Sequence, residues 1–94
     1  MGDDSVQGGA GDDCIYGDDG DDRLFGNEDN DTIYAGTGQD YVEGNAGNDY
    51  LDVSDSSSLP DAAYGGTGDD TLIGNMIDLL DGGGDPGDSI VWYP

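Results

Sequence analysis

Large aliphatic side chains fall at Val6, Ile15, Leu24, Ile33, Val42 and Leu51, nine residues apart at every step. An aspartate stands two positions before each: Asp4, Asp13, Asp22, Asp31, Asp40 and Asp49. A glycine stands two positions before that aspartate at Gly2, Gly11, Gly20, Gly38 and Gly47, with Asp29 as the exception. The unit Gly8-Gly9-Ala10-Gly11-Asp12-Asp13-Cys14-Ile15-Tyr16 reads G-G-x-G-x-D-x-U-x, where U is a large aliphatic. A period of nine fits neither a heptad nor an amphipathic helix. Tight Gly/Asp turns alternating with three-residue x-U-x segments predict short strands instead. In x-U-x the middle side chain faces one way and its neighbours the other. Two units then close one coil of eighteen residues, and the coils stack as two parallel sheets with the U residues between them. The predicted fold is all-β, a two-sheet β-solenoid with about two nine-residue repeats per coil.

Residues 53–64, Ser-rich and containing Pro60, interrupt the pattern. The frame returns at residues 65–73 with Asp70 and Leu72, and two irregular units follow with Asp78/Leu80 and Asp88/Ile90 in the corresponding places. The interruption is twelve residues long, one repeat plus three, which predicts a degenerate half-coil carrying a small loop. The expected organisation is one domain: a regular block over 1–52, the half-coil over 53–64, and a second, irregular block over 65–94. Its tail, Ile90-Val91-Trp92-Tyr93, is expected to cap the open end of the solenoid, which would otherwise expose a sheet edge.

Composition alone argues against folding. Of 94 residues only 33% are apolar, nineteen are glycine, and the formal net charge is -22, a balance normally found in disordered chains. Arg23 is the sole basic side chain against 23 carboxylates. Nothing here can neutralise phosphates, so nucleic acid is excluded as a partner, and an anionic membrane surface would repel the chain. No apolar stretch approaches the ~20 residues that span a bilayer, so no membrane insertion is expected. The single cysteine, Cys14, leaves no disulfide framework and no cysteine zinc site. Without histidine or lysine there is no Ser-His pair, no H-E-x-x-H and no Schiff base; paired carboxylates without a pocket do not make a glycosidase. No catalytic residue is assigned. The start, Met1-Gly2-Asp3-Asp4, carries no cleavable signal peptide, and because it falls part-way through a repeat a piece of a longer protein is expected.

Charge changes the picture once the coils are stacked. Equivalent aspartates would lie one above another at roughly the inter-strand spacing, ~4.8 Å, with Asp4, Asp22 and Asp40 in one column and Asp13, Asp31 and Asp49 in the other. At that separation and an effective dielectric near 20, each like-charge contact costs on the order of 3.5 kcal/mol, against a net stability of only ~5 to 15 kcal/mol. A divalent cation between successive aspartates reverses the sign. Carboxylates, amide oxygens and carbonyls are hard donors, and many flexible carbonyls in glycine-rich turns suit calcium better than magnesium. Asn27 and Asn45 take the second turn position, where a left-handed backbone is needed. An EF-hand does not fit, since Thr32 sits where the loop beginning at Asn27 needs glycine, and no flanking helices are predicted. The fifth-position acids Asp12, Asp21 and Asp69 are read as surface charge only.

These units resemble the repeats-in-toxin (RTX, haemolysin-type) calcium-binding nonapeptide repeats, closely over residues 2–52 and 65–73 and loosely over 74–91. The resemblance implies a parallel β-roll with calcium between like turns of successive coils, bound by the sixth-position aspartates and the carbonyls of turn positions one to four. Carried onto this chain, it places about four to six calcium ions between Asp4 and Asp22, Asp13 and Asp31, Asp22 and Asp40, Asp31 and Asp49, and Asp70 and Asp88. The implied carbonyl donors include Gly9, Gly11, Gly20, Gly36, Gly38, Gly66 and Gly68. The resemblance also implies a module of a secreted, extracellular bacterial protein that passes a type I secretion channel unfolded and folds on calcium outside, or the non-catalytic tail of a protease, lipase or epimerase. A different class of function is a rigid adhesin or ice-binding spacer. Against it, the outward turn pairs Ala10/Asp12, Asp19/Asp21, Glu28/Asn30, Thr37/Gln39, Ala46/Asn48 and Thr67/Asp69 are irregular. Outward strand positions carry Tyr16, Tyr34 and Tyr50 on one sheet and Phe25 and Tyr41 on the other, read as cross-strand contacts.

Overall fold

The computed structural model describes residues 5–54, 60–75, 78–83 and 87–93. Ten strands are present among them: β1 (Ser5–Gln7), β2 (Cys14–Tyr16), β3 (Arg23–Phe25), β4 (Thr32–Tyr34), β5 (Tyr41–Glu43), β6 (Tyr50–Asp52), β7 (Ala62–Tyr64), β8 (Thr71–Asn75), β9 (Leu79–Asp81) and β10 (Ser89–Tyr93). Odd-numbered strands form one parallel sheet in the order β1-β3-β5-β7-β9, and even-numbered strands form the other, β10-β8-β6-β4-β2. Each coil therefore gives one strand to each sheet, and the chain is the all-β two-sheet solenoid that the nine-residue period predicts. No helix long and apolar enough to cross a membrane occurs among the described residues.

Register follows the aliphatic column. Leu24 pairs with Val6 and Val42, and Ala63 with Val42 and Leu80; on the other sheet Ile33 pairs with Ile15 and Leu51, and Leu72 with Leu51 and Ile90. A one-residue slip would turn every aliphatic outward, which is why a single buried side chain per strand suffices to fix pairing. Leu24, Ile33, Val42, Leu51, Ala63 and Leu72 are fully buried, and Ala35 and Val53 join the same core from the turns. The core is one side chain deep per strand, and the remaining stability has to come from the turns.

The interruption over residues 53–64 does not break the solenoid. β7 takes its place in register between β5 and β9, with Ala63 in the aliphatic position and Asp61 in the aspartate position. At the far end Ile90-Val91-Trp92-Tyr93 runs as part of β10, parallel to and in register with β8, and covers that strand's edge. Asp29, at the fourth turn position, adopts the left-handed backbone a glycine would (φ 74°), as do Asp18, Asn27 and Asn45 at the second (φ 69°, 76° and 72°). Asparagine and aspartate are the non-glycine residues that reach this region at least cost.

Outward positions stack from coil to coil. Tyr34 lies between Tyr16 (ring centroids 5.2 Å apart, planes at 13°) and Tyr50 (6.0 Å). On the opposite sheet Tyr41 contacts Phe25 and also Tyr64, which lies within the interruption. Cys14 is exposed.

Candidate metal centre

The turns place the sixth-position aspartates in two ladders. In one, the Asp13 N–H donates to Asp31 Oδ1, Asp31 to Asp49, Asp49 to Asp70, and Asp70 to Asp88, each at 2.8 Å. In the other, Asp22 donates to Asp40 (2.8 Å), Asp40 to Asp61 (2.6 Å) and Asp61 to Asp78 (2.8 Å). Main-chain carbonyls of the same aspartates accept from the strand that follows in the next coil, as in Thr32 N–H to Asp13 and Tyr41 N–H to Asp22, both 2.8 Å. Asp31, Asp40, Asp49, Asp61, Asp70, Asp78 and Asp88 thus each use their first carboxylate oxygen to hold an aspartate one coil away.

The second oxygen is different. Oδ2 of Asp13, Asp31 and Asp49 is buried and meets no hydrogen-bond donor; Oδ2 of Asp22, Asp40, Asp61 and Asp70 occupies the same buried position. Asp31 and Asp49 are 2% and 3% exposed. A buried carboxylate oxygen left without a donor is costly. Burial accordingly raises the Asp31 pKa above its ordinary value and that of Asp49 to about 7. Main-chain N–H groups one coil away partly offset this, while neighbouring carboxylates add to it: Asp70 and Asp31 around Asp49, and Asp13, Asp12 and Asp29 around Asp31.

Carbonyl oxygens supply the other hard donors. The backbone is left-handed at the second and fourth turn positions, including Gly9, Gly11, Gly20, Gly36, Gly38, Gly66 and Gly68. The Gly20 carbonyl oxygen lies against Gly38 and that of Gly66 against Gly83, so closely that a β-carbon at Gly38 or Gly83 would collide with it. Some second-position carbonyls are shared with coil-to-coil bonds, as when Asp18, Asn27 and Asn45 accept from Thr37, Ala46 and Thr67 at 3.0 Å. Among the described residues no three or more His, Cys, Asp or Glu side chains converge on a point. A cation here would be held by carboxylates in stacked pairs with main-chain oxygens, an all-oxygen set that fits calcium.

Of the sites read from the sequence, Asp13/Asp31, Asp22/Asp40, Asp31/Asp49 and Asp70/Asp88 are brought together; Asp4, and with it the Asp4/Asp22 site, lies outside the described residues. Two ladder members were missed. Asp61 and Asp78 stand in the aspartate column but were not counted as candidates. Asp61 was hidden by Ala63, too small to register as the aliphatic of its unit. Its signal was the spacing: both Asp40 to Asp61 and Asp49 to Asp70 are twenty-one residues, one coil plus the same three. The fifth-position residues are also more than surface charge. Asn30 N–H donates to Asp12 Oδ1, Asn48 to Asn30, and Asp69 to Asn48, at 2.7 to 2.9 Å, and Gln39 donates to Asp21 at 2.8 Å. In the sixth-position ladder the earlier coil donates to the later one, whereas here the later donates to the earlier, so adjacent coils are clasped from both sides.

Stacked acidic turns on a two-sheet solenoid define a parallel β-roll. A family model, RTX calcium-binding nonapeptide repeat (4 copies), matches residues 2–24, 16–51 and 57–76. The chain belongs to that family and is a calcium-binding β-roll module, structural in character. Neither the curated proteins nor the solved structures give a significant match to it.

Proposed function

We propose that the two aspartate ladders hold calcium ions between successive coils and that this binding decides whether the chain folds. The ligands would be Asp13, Asp22, Asp31, Asp40, Asp49, Asp61, Asp70, Asp78 and Asp88, with Asp4 extending one ladder, and carbonyls such as those of Gly9, Gly11, Gly20, Gly36, Gly38, Gly66 and Gly68. The observation that carries this reading is the pair of buried, donor-less oxygens on Asp31 and Asp49. Bound calcium supplies the positive charge that those carboxylates lack. The residues do the rest: aspartates orient through their Oδ1 bonds, left-handed turn positions aim the carbonyls, and the aliphatic column sets the coil spacing.

Seven aspartate intervals among the described residues are hydrogen-bonded in this way, and about four to six ions are proposed to fill them. With affinities like those of extracellular calcium modules, ~10⁻⁴ to 10⁻³ M, millimolar calcium gives roughly 0.4 to 1.4 kcal/mol per site. Several coupled sites then outweigh the marginal stability of a domain this small. In this setting the chain serves as one folding unit of a secreted bacterial protein, open where calcium is scarce, as in passage through a type I channel, and ordered outside the cell. Continuity of one sheet through β7 and of the other from β6 to β8 supports a single unit, with β10 as its covering strand. Circular dichroism tests this directly: little strand signal in chelator and full signal at millimolar calcium are expected. Complete strand signal in chelator refutes the switch.

A further inference from the structure

We propose that the two ladders are unequal, and that the one running through Asp13, Asp31, Asp49 and Asp70 takes up calcium first, the other filling only at higher concentration. This rests on the calcium reading above and ranks its sites. The difference lies at the first turn position. In the Asp13 ladder that position is glycine at every turn. A β-carbon on Gly8, Gly26, Gly44 or Gly65 would lie within 2.6 Å of Oδ2 of the aspartate in its own turn, Asp13, Asp31, Asp49 or Asp70. Each carboxylate there presses on bare backbone, among amide dipoles.

The other ladder is looser and greasier. The same contact is 2.9 Å from Gly17 to Asp22 Oδ2 and 3.0 Å from Gly74 to Asp78 Oδ2. The two turns between carry Ala35 and Val53, both wholly buried and both part of the apolar core. Both put hydrocarbon at the first turn position, where the Asp13 ladder has bare backbone, and this raises the cost of placing an ion in those turns.

Isothermal titration of the whole chain with calcium chloride, followed in parallel by circular dichroism, tests the ranking. The expected isotherm has two steps, the first accounting for about three ions, one for each of the intervals Asp13/Asp31, Asp31/Asp49 and Asp49/Asp70. Gly44→Ala should raise the calcium needed for the first step at least tenfold. Ala35→Gly should lower the calcium needed for the second step at least threefold and leave the first in place; this variant keeps the test decisive if Gly44→Ala does not fold. A single step for the wild type, or an Ala35→Gly isotherm whose second step is unmoved, overturns the ranking and leaves calcium binding standing. Failure to bind calcium at millimolar concentration overturns the calcium reading and the ranking together.

Discussion

Replacing Asp49 with asparagine should have opposite effects with and without calcium. Asp49 sits between Asp31 and Asp70: its Oδ1 accepts from Asp31, and its N–H donates to Asp70 Oδ1, both at 2.8 Å. Asparagine keeps an oxygen for the first bond and a backbone N–H for the second, so the ladder survives. What changes is charge. With no ion present, Asp49 faces two like-charged neighbours, and at ~4.8 Å and an effective dielectric near 20 each contact costs on the order of 3.5 kcal/mol if fully ionised. Screening and partial protonation reduce that, so a gain of roughly 1 to 3 kcal/mol is expected for the metal-free roll at pH 8. With calcium, the same substitution weakens the two intervals that Asp49 borders, a loss of roughly 1 to 3 kcal/mol at millimolar calcium from the same per-site arithmetic. The assay is paired: the concentration of a protecting osmolyte such as trimethylamine N-oxide needed to fold the chain in chelator, and its melting temperature in 5 mM calcium. The osmolyte midpoint should fall and the melting temperature should drop. A shift toward lower stability in both media refutes the reasoning, because it makes Asp49 an ordinary hydrogen-bonding residue.

Three further outcomes follow from the same structure. Since burial raises Asp49 to about 7 from an ordinary 3.8, and raises Asp31 as well, the metal-free roll binds more protons than the open chain between those limits. Its stability is greatest below about 3.8 and is lost as pH rises through about 7, so strand signal in chelator should grow on acidification from pH 8 to pH 4.5; an unchanged spectrum contradicts this. Gly38→Ala puts a β-carbon on a backbone at φ 113° and into the Gly20 carbonyl, and should cost more than ~1 kcal/mol in a calcium-saturated urea melt. Ile33→Ala removes a fully buried side chain from the centre of its sheet and should cost ~2 to 5 kcal/mol in the same melt.

What the sequence reveals here is unusually local. An x-U-x strand with one buried residue leaves no ambiguity about which side chain faces the core, so Val6 through Leu51 fixed coil length, sheet number and register together. The aspartate columns followed, because a repeat that returns every eighteen residues stacks whatever it carries. Legibility ended where side-chain size was used as the marker of the repeat. Ala63 fills the aliphatic position because the half-coil needs only enough bulk to meet Val42 and Leu80 on either side, and Asp61 was overlooked with it. The Asp12–Asn30–Asn48–Asp69 ladder could not be read from a pattern that mixes acid and amide. Only the stacked geometry shows that either side chain offers Oδ1 to the next coil's N–H. Asp29 teaches the converse: a broken consensus need not mean a changed backbone, since aspartate reaches φ 74° in the same turn.

Small-angle scattering in chelator and in millimolar calcium tests most directly whether cations between stacked carboxylates hold this chain together. The folded roll has a Cα radius of gyration of 11.7 Å, whereas an open chain of this length is expected near 30 Å. Expansion toward the larger value in chelator, with collapse to nearly the smaller on adding calcium, is the predicted result; a compact particle in both buffers would contradict it.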